Sequence, residues 1–154
     1  MVSGVDGIAV GIGTTLNLHC DLTFATPRTV FRTPFVDLGL VPEAGSSLLA
    51  PQVLGRQGAF ALLALGEGLS ADEARAAGLI YKVVEEEALE QDALAAAARI
   101  AAKPPQALRI ARDLMRGPRE PLIARIEEET ALFRQRLKSG EAKAALMAFM
   151  ERKK

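Results

Sequence analysis

The sequence predicts an α/β fold, with strands and helices interleaved over the first half and helices alone over the second. Three observations predict it. A short apolar run, Ile8 to Val10, stops at the glycine turn Gly11-Ile12-Gly13. The segment Leu79-Ile80-Tyr81-Lys82-Val83-Val84 is rich in strand formers and follows a helix stop at Gly78. From about Glu86 onward, helical spacing and helix punctuation succeed one another with no further strand pattern.

Taken in order, Ile8 to Val10 reads as a short buried strand, and Leu16 to Cys20 as the first turns of a buried helix. Asp21 to Ala25 alternates as a strand, Pro27 breaks it, and Val30-Phe31 suggests another. The stretch Thr33 to Ser47 is a loop by its prolines and glycines, yet it carries Phe35, Val36, Leu38, Leu40 and Val41. A buried backbone must find hydrogen-bond partners, so an apolar loop points to a pocket wall. Ser46 to Leu54 and Gln57 to Leu65 read as helices punctuated by Gly55. Ser70 and Glu73 form a capping box. A helix from about Glu86 to Ala102 precedes one opened by Pro104-Pro105 and closed by Gly117. Leu122, Ile126, Phe133 and Leu137 then recur at helical spacing, and Glu127-Glu128-Glu129 reads as a solvated face of that helix. Ser139 is placed to cap a last helix whose apolar face includes Leu146, Phe149 and Met150. No internal repeat is readable.

Composition narrows the function classes. The 154 residues are 49% apolar and 25% charged, which suits a folded domain. Lys plus Arg and Asp plus Glu balance at 19 each, so no net field recruits nucleic acid or an anionic membrane. With no Trp and a single Tyr, base-stacking surfaces are scarce as well. Cys20 is the only cysteine and His19 the only histidine, which leaves no intrachain disulfide and no readable metal cluster. Cys20 reads as a buried, reduced core residue and His19 as a satisfied structural one. No apolar segment is long enough to span a bilayer, and no secretory leader is evident, so the expected setting is cytoplasmic.

The glycine turn meets neither nucleotide pattern. Leu16 stands where a dinucleotide fingerprint wants its third glycine, and Thr14-Thr15 follows without a Walker lysine. Glu43 reads locally as an acid at a helix start, where the dipole favours it. Asp37 reads as a loop or capping residue.

The order of motifs goes further. Gly7-x-Ala9-x-Gly11-x-Gly13, Cys20-Asp21, Phe31, Pro34, Gly39, Pro42 and Gly45 resemble the enoyl-CoA hydratase/isomerase (crotonase) family. The resemblance continues through Leu54-Gly55, Gly66, Leu69-Ser70-Ala71-x-Glu73-Ala74 and Gly78-Leu79-x-x-x-Val83, and reaches Phe149. It implies the C-terminal part of a crotonase-like ββα spiral, in which residues 1–85 belong to the core and residues 86–154 form a helical trimerisation region. It also implies a homotrimer or hexamer, an acyl-CoA thioester as substrate with no separate cofactor, and a place in fatty-acid β-oxidation.

The same resemblance implies an oxyanion hole of two backbone N–H groups, fixed dipoles aimed at charge that develops in the transition state. Ile12 corresponds to the second donor; the first, with much of the CoA surface, belongs to an N-terminal part expected to precede this chain. The two glutamates of the hydratases correspond to Thr15 and Phe35, neither of which transfers a proton at neutral pH. The run from Pro34 to Ser47, PF-x-x-LG-x-x-PE-x-x-SS, is similar instead to the peroxisomal Δ3,Δ2-enoyl-CoA isomerases, and Ala102-Lys103-x-Pro105-x-Ala107-Leu108-Arg109-Ile110 extends the likeness. It implies that Glu43 is the base, that Gly11, Thr15, Phe35 and Leu40 line the substrate, and that Arg152 and Lys153 meet CoA phosphates. A frayed, solvated tail is the plain alternative for Arg152 and Lys153. The alternatives to an isomerase are an enoyl-CoA hydratase and an inert acyl-CoA-binding or assembly module.

Overall fold

A computed structural model describes residues 1–151. The strands divide between two small sheets, alternately over β1 to β4. The first sheet takes β1 (Val2–Val5), β3 (Leu22–Ala25) and β6 (Lys82–Val83), all parallel in the order β1-β3-β6. The second takes β2 (Ile8–Val10), β4 (Val30–Arg32) and β5 (Leu69–Ser70), with β4 parallel to β2 and antiparallel to β5. Val2 lies opposite Leu22, and Ile8 opposite Val30. Each strand pair is thus laid beside the one before it, a ββα spiral. The sequence shows no repeat because the repeated property is backbone path, not residue identity.

Helix α1 (Ile12–Thr15) follows β2 and continues as a 3-10 turn over Leu16–His19. Next comes α2 (Ser46–Leu63), broken at Gly55 where φ is 69° and ψ 170°, as the punctuation predicted. Helix α3 (Ala71–Ala76) begins at the Ser70–Glu73 capping box. The chain ends in α4 (Leu89–Ala101), α5 (Pro105–Arg116), α6 (Glu120–Leu137) and α7 (Gly140–Glu151). Pro105 opens α5 and Gly117 closes it; the Ser139 hydroxyl accepts from Ala142 N–H at 3.1 Å to cap α7.

Three apolar clusters hold these parts together. Ala9, Ala25, Phe31, Ala74 and Leu79 pack between the sheets and α3. Phe35, Ala50, Ala59, Leu62 and Leu63 gather on α2, with Leu40 and Phe133 against them. Phe24, Val84 and Ala96 seat α4 on the first sheet. No helix among the described residues is long and apolar enough to cross a membrane.

Several expectations need correction. β2 is an edge strand, so its alternation turns only Ala9 inward, while Ile8 is 74% exposed and Val10 also faces out. The opening helix buries polar residues rather than apolar ones: Thr14, Thr15 and Asn17 are inside and Leu16 is outside. The reason is hydrogen bonding. The Thr14 hydroxyl donates to Ala9 O at 2.7 Å and ties the helix to β2, while Asn17 Nδ2 donates to Gly13 O at 2.7 Å within the turn itself. Cys20 lies just past the 3-10 turn and is only half-buried, which is still enough to push its thiol pKa up. β1 carries no signal in the sequence, because Ser3 and Gly4 interrupt its strand formers. Strand β6 is shorter than Leu79 to Val84, since Leu79 and Ile80 turn into the core before pairing begins. Phe149 and Met150, read as an apolar face, are largely exposed because α7 lies at the rim of the chain.

Candidate active site

The site forms where the turn after β2 meets the loop before α2. Gly11 N–H donates to Arg32 O at 2.9 Å, fixing the turn to β4, and Gly11 is the N-cap of α1. The first N–H groups of a helix have no acceptor within it. Those of Ile12 and Gly13 therefore remain available, whereas those of Thr14 and Thr15 are taken by Gly11 O. The Ile12 side chain faces away from the core, about half exposed, which leaves its backbone as the chemically relevant part.

Glu43 approaches this turn from the loop. A Cβ built on Gly11 would stand 3.9 Å from Glu43 Oε1, so the carboxylate flanks the turn at van der Waals range. Leu40 N–H donates to Phe35 O at 2.7 Å, and Phe35 is buried against α2. These two residues thus back the loop that carries Glu43. Thr15 is also buried, its hydroxyl donating to Gly11 O at 3.4 Å. The loop does line a cavity: Pro34, Asp37 and Leu38 face Ile8, Val10 and Phe149 across it. Arg152 and Lys153 lie outside the described residues.

Two residues after Glu43 adopt left-handed backbone. Ala44 has φ 57° and Gly45 has φ 71°. For alanine this conformation costs about 1–2 kcal/mol, so other contacts must hold it. His19 is one: its Nε2 lies 2.7 Å from Ala44 O, the satisfied structural role expected of it. A Cβ at Gly45 would also displace the Leu122 side chain of α6.

Glu129 is the other contact, and here the reading of a solvated acidic face fails. The residue is 5% exposed, and its carboxylate accepts Gly45 N–H at 2.6 Å and Ser47 N–H at 2.9 Å. These donors stand at the start of α2, where an anion is favoured. Arg125 extends the contact by donating to Ser47 Oγ at 3.1 Å. The sequence held one clue. Glu129 sits three residues after Ile126 and four before Phe133, on the buried stripe of α6. Burial raises the Glu43 pKa above its ordinary value, and the nearby Glu129 charge raises it further.

Comparison with known proteins agrees with this architecture. The chain matches the enoyl-CoA hydratase/isomerase family model over residues 1–154. It is 39% identical to enoyl-CoA delta isomerase 2 of Rattus norvegicus over 99% of this chain and 39% of that protein. It is 30% identical to a probable enoyl-CoA hydratase of Rhizobium meliloti (strain 1021), over 100% of this chain and 60% of that one. The crystal structure of an enoyl-CoA hydratase/isomerase from Pseudoalteromonas atlantica T6c superposes with a TM-score of 0.91 at 39% identity, covering 95% of this chain and 59% of that one. The chain therefore spans roughly two to three fifths of the length of these relatives. With the ββα spiral, the glycine turn and a family match along residues 1–154 in hand, this chain belongs to the enoyl-CoA hydratase/isomerase family.

Proposed function

We propose that this chain carries the proton-transfer part of an enoyl-CoA isomerase, with Glu43 as its one base. The Glu43 carboxylate removes a C2 proton from a 3-enoyl-CoA. The C–H electron pair moves into the conjugated thioester, giving a dienolate with its charge on the thioester oxygen. The Ile12 N–H is one donor to that oxygen. The new carboxylic acid on Glu43 returns the proton at C4, and the double bond then lies between C2 and C3. The raised Glu43 pKa suits both steps, because the group must take the proton and give it back.

The single observation that carries the reading is the half-buried Glu43 carboxylate flanking the Gly11 turn, 3.9 Å from where a Cβ would stand. Thr15 and Phe35, where a hydratase has its glutamates by resemblance, offer no acid. Gly11, Thr15, Phe35 and Leu40 belong in this reading to the wall around the acyl group. Arg152 and Lys153 are assigned to CoA phosphates, residues 1–85 to the catalytic core, and residues 86–154 to assembly as a trimer or hexamer. A cytoplasmic setting and a role in fatty-acid breakdown complete the proposal.

The test is conversion of 3-enoyl-CoA to 2-enoyl-CoA by the full gene product. Glu43→Gln should lower kcat/KM by about 10²–10⁴-fold, the usual worth of a positioned base. Turnover unchanged by that substitution would overturn the assignment. Hydration of 2-enoyl-CoA in place of isomerisation would favour the hydratase instead.

A further inference from the structure

We propose that Glu129 is a positioning residue for Glu43: it clamps the peptides that follow the base. The inference rests on the reading of Glu43 as the base. Its own support is geometric. The segment Glu43-Ala44-Gly45-Ser46-Ser47 is held from two sides by residues remote in sequence. His19 holds Ala44 O from the glycine-turn side, and Glu129 holds Gly45 N–H and Ser47 N–H from α6.

The left-handed pair Ala44-Gly45 has no regular secondary structure of its own to fix it. Without the carboxylate, two N–H groups at the start of α2 lose a buried acceptor and Ala44 is free to relax. Either change displaces Glu43, which precedes Ala44 directly. A displacement near 1 Å at a reacting group can cost on the order of 100-fold in rate.

Glu129 also acts through charge. The charged and titratable groups around the segment are Glu129 on α6, His19 on the turn, and Arg125, which is paired with Glu128 at 3.0 Å. Arg125 is thereby partly neutralised by its own neighbour, while Glu129 acts on Glu43 as a like charge. A plain structural cap would contribute stability and leave the proton affinity of Glu43 alone. The positioning role predicts that both position and proton affinity change together.

The experiment compares the full gene product with its Glu129→Gln variant. Glutamine keeps the length but loses the charge and one of the two acceptor oxygens. The expected result is a fall in kcat of about 10–100-fold with KM little changed. The acid limb of the pH profile should move to lower pH, and the Glu43 midpoint followed by carbon-13 carboxyl resonances should move the same way. An unmoved midpoint in a folded variant overturns the proposal. Should the variant fail to fold, Glu129→Asp decides: it keeps the charge but shortens the reach to Gly45 and Ser47, so kcat should fall with KM little changed, and wild-type kcat in folded Glu129→Asp overturns the idea. Failure of the base assignment looks different. In that case Glu43→Gln leaves turnover intact whatever Glu129→Gln does to the carboxyl titration.

Discussion

Gly39 lies directly on the backbone of Ala142. A Cβ at Gly39 would come within 2.7 Å of Ala142 N and 2.9 Å of its Cα, and Gly39 has φ 67°. Arg136 adds a hydrogen bond from Nε to Gly39 O at 3.0 Å. The loop leading to Glu43 is therefore seated on the start of α7 with no slack. Backbone cannot step aside as a flexible side chain can, and an L-residue is strained at this φ. Gly39→Ala should destabilise the protein by about 2–4 kcal/mol. Urea unfolding should show a lower midpoint with an unchanged slope; a midpoint equal to wild type would contradict the contact.

Glu43 should be a stability liability. Burial, then the Glu129 charge, raises its pKa in the folded state above the ordinary 4.5. A carboxyl shifted upward stabilises the fold while protonated, and that contribution is lost as pH rises through the folded value. Glu43→Gln should therefore melt higher than wild type near neutral pH. The gap should close once the pH falls below the ordinary glutamate value. A lower Tm for the variant at neutral pH would show that the ionised carboxylate is welcome where it lies.

Asp6 should behave in the opposite sense. Hydrogen bonds from Arg28, at 2.7 Å from its Nε, and from Thr26, also at 2.7 Å, hold its pKa down to about 2. Its contribution is present above the ordinary carboxylate value of 3.8 and disappears as pH falls to about 2. Asp6→Asn should lower Tm at neutral pH, with the difference shrinking across that acid window. A difference that persists below it would assign the effect to packing instead.

Ser70 tests the capping box at the start of α3. Its hydroxyl accepts from Glu73 N–H, and Glu73 Oε2 accepts from Ser70 N–H at 2.8 Å. Ser70→Ala should cost about 0.5–2 kcal/mol in unfolding free energy, and Ser70→Asp should recover most of it. Equal loss in both variants would mean that something other than the cap matters there.

What could be read from sequence follows the range of the interactions. The Ser70 box, the Pro105 start, the Gly117 stop and the break at Gly55 are decided within a few residues, and each lies where the sequence put it. Family motifs carried the Glu43 neighbourhood, because several spaced residues vary less in meaning than one. The orientation of Ile8 and Val10 was not readable, since an edge strand and an inner strand share one apolar pattern. The burial of Glu129 is hidden for a related reason. Its three-glutamate run resembles a wet surface, and its burial is decided by Gly45 and Ser47, more than 80 positions earlier. The missing apolar residue between Ile126 and Phe133 on the α6 stripe was the hint.

The clamp on Gly45 and Ser47 has a consequence for how this protein fails. Those two amides can exchange with solvent only when Glu129 lets go, so their hydrogen-exchange protection reports how firmly α6 is docked. The strained peptides beside Glu43 are then the first to relax when α6 loosens, well before the sheets separate. Mild heat or denaturant should silence the proposed isomerisation while most of the secondary structure persists, and recovery on cooling should be fast.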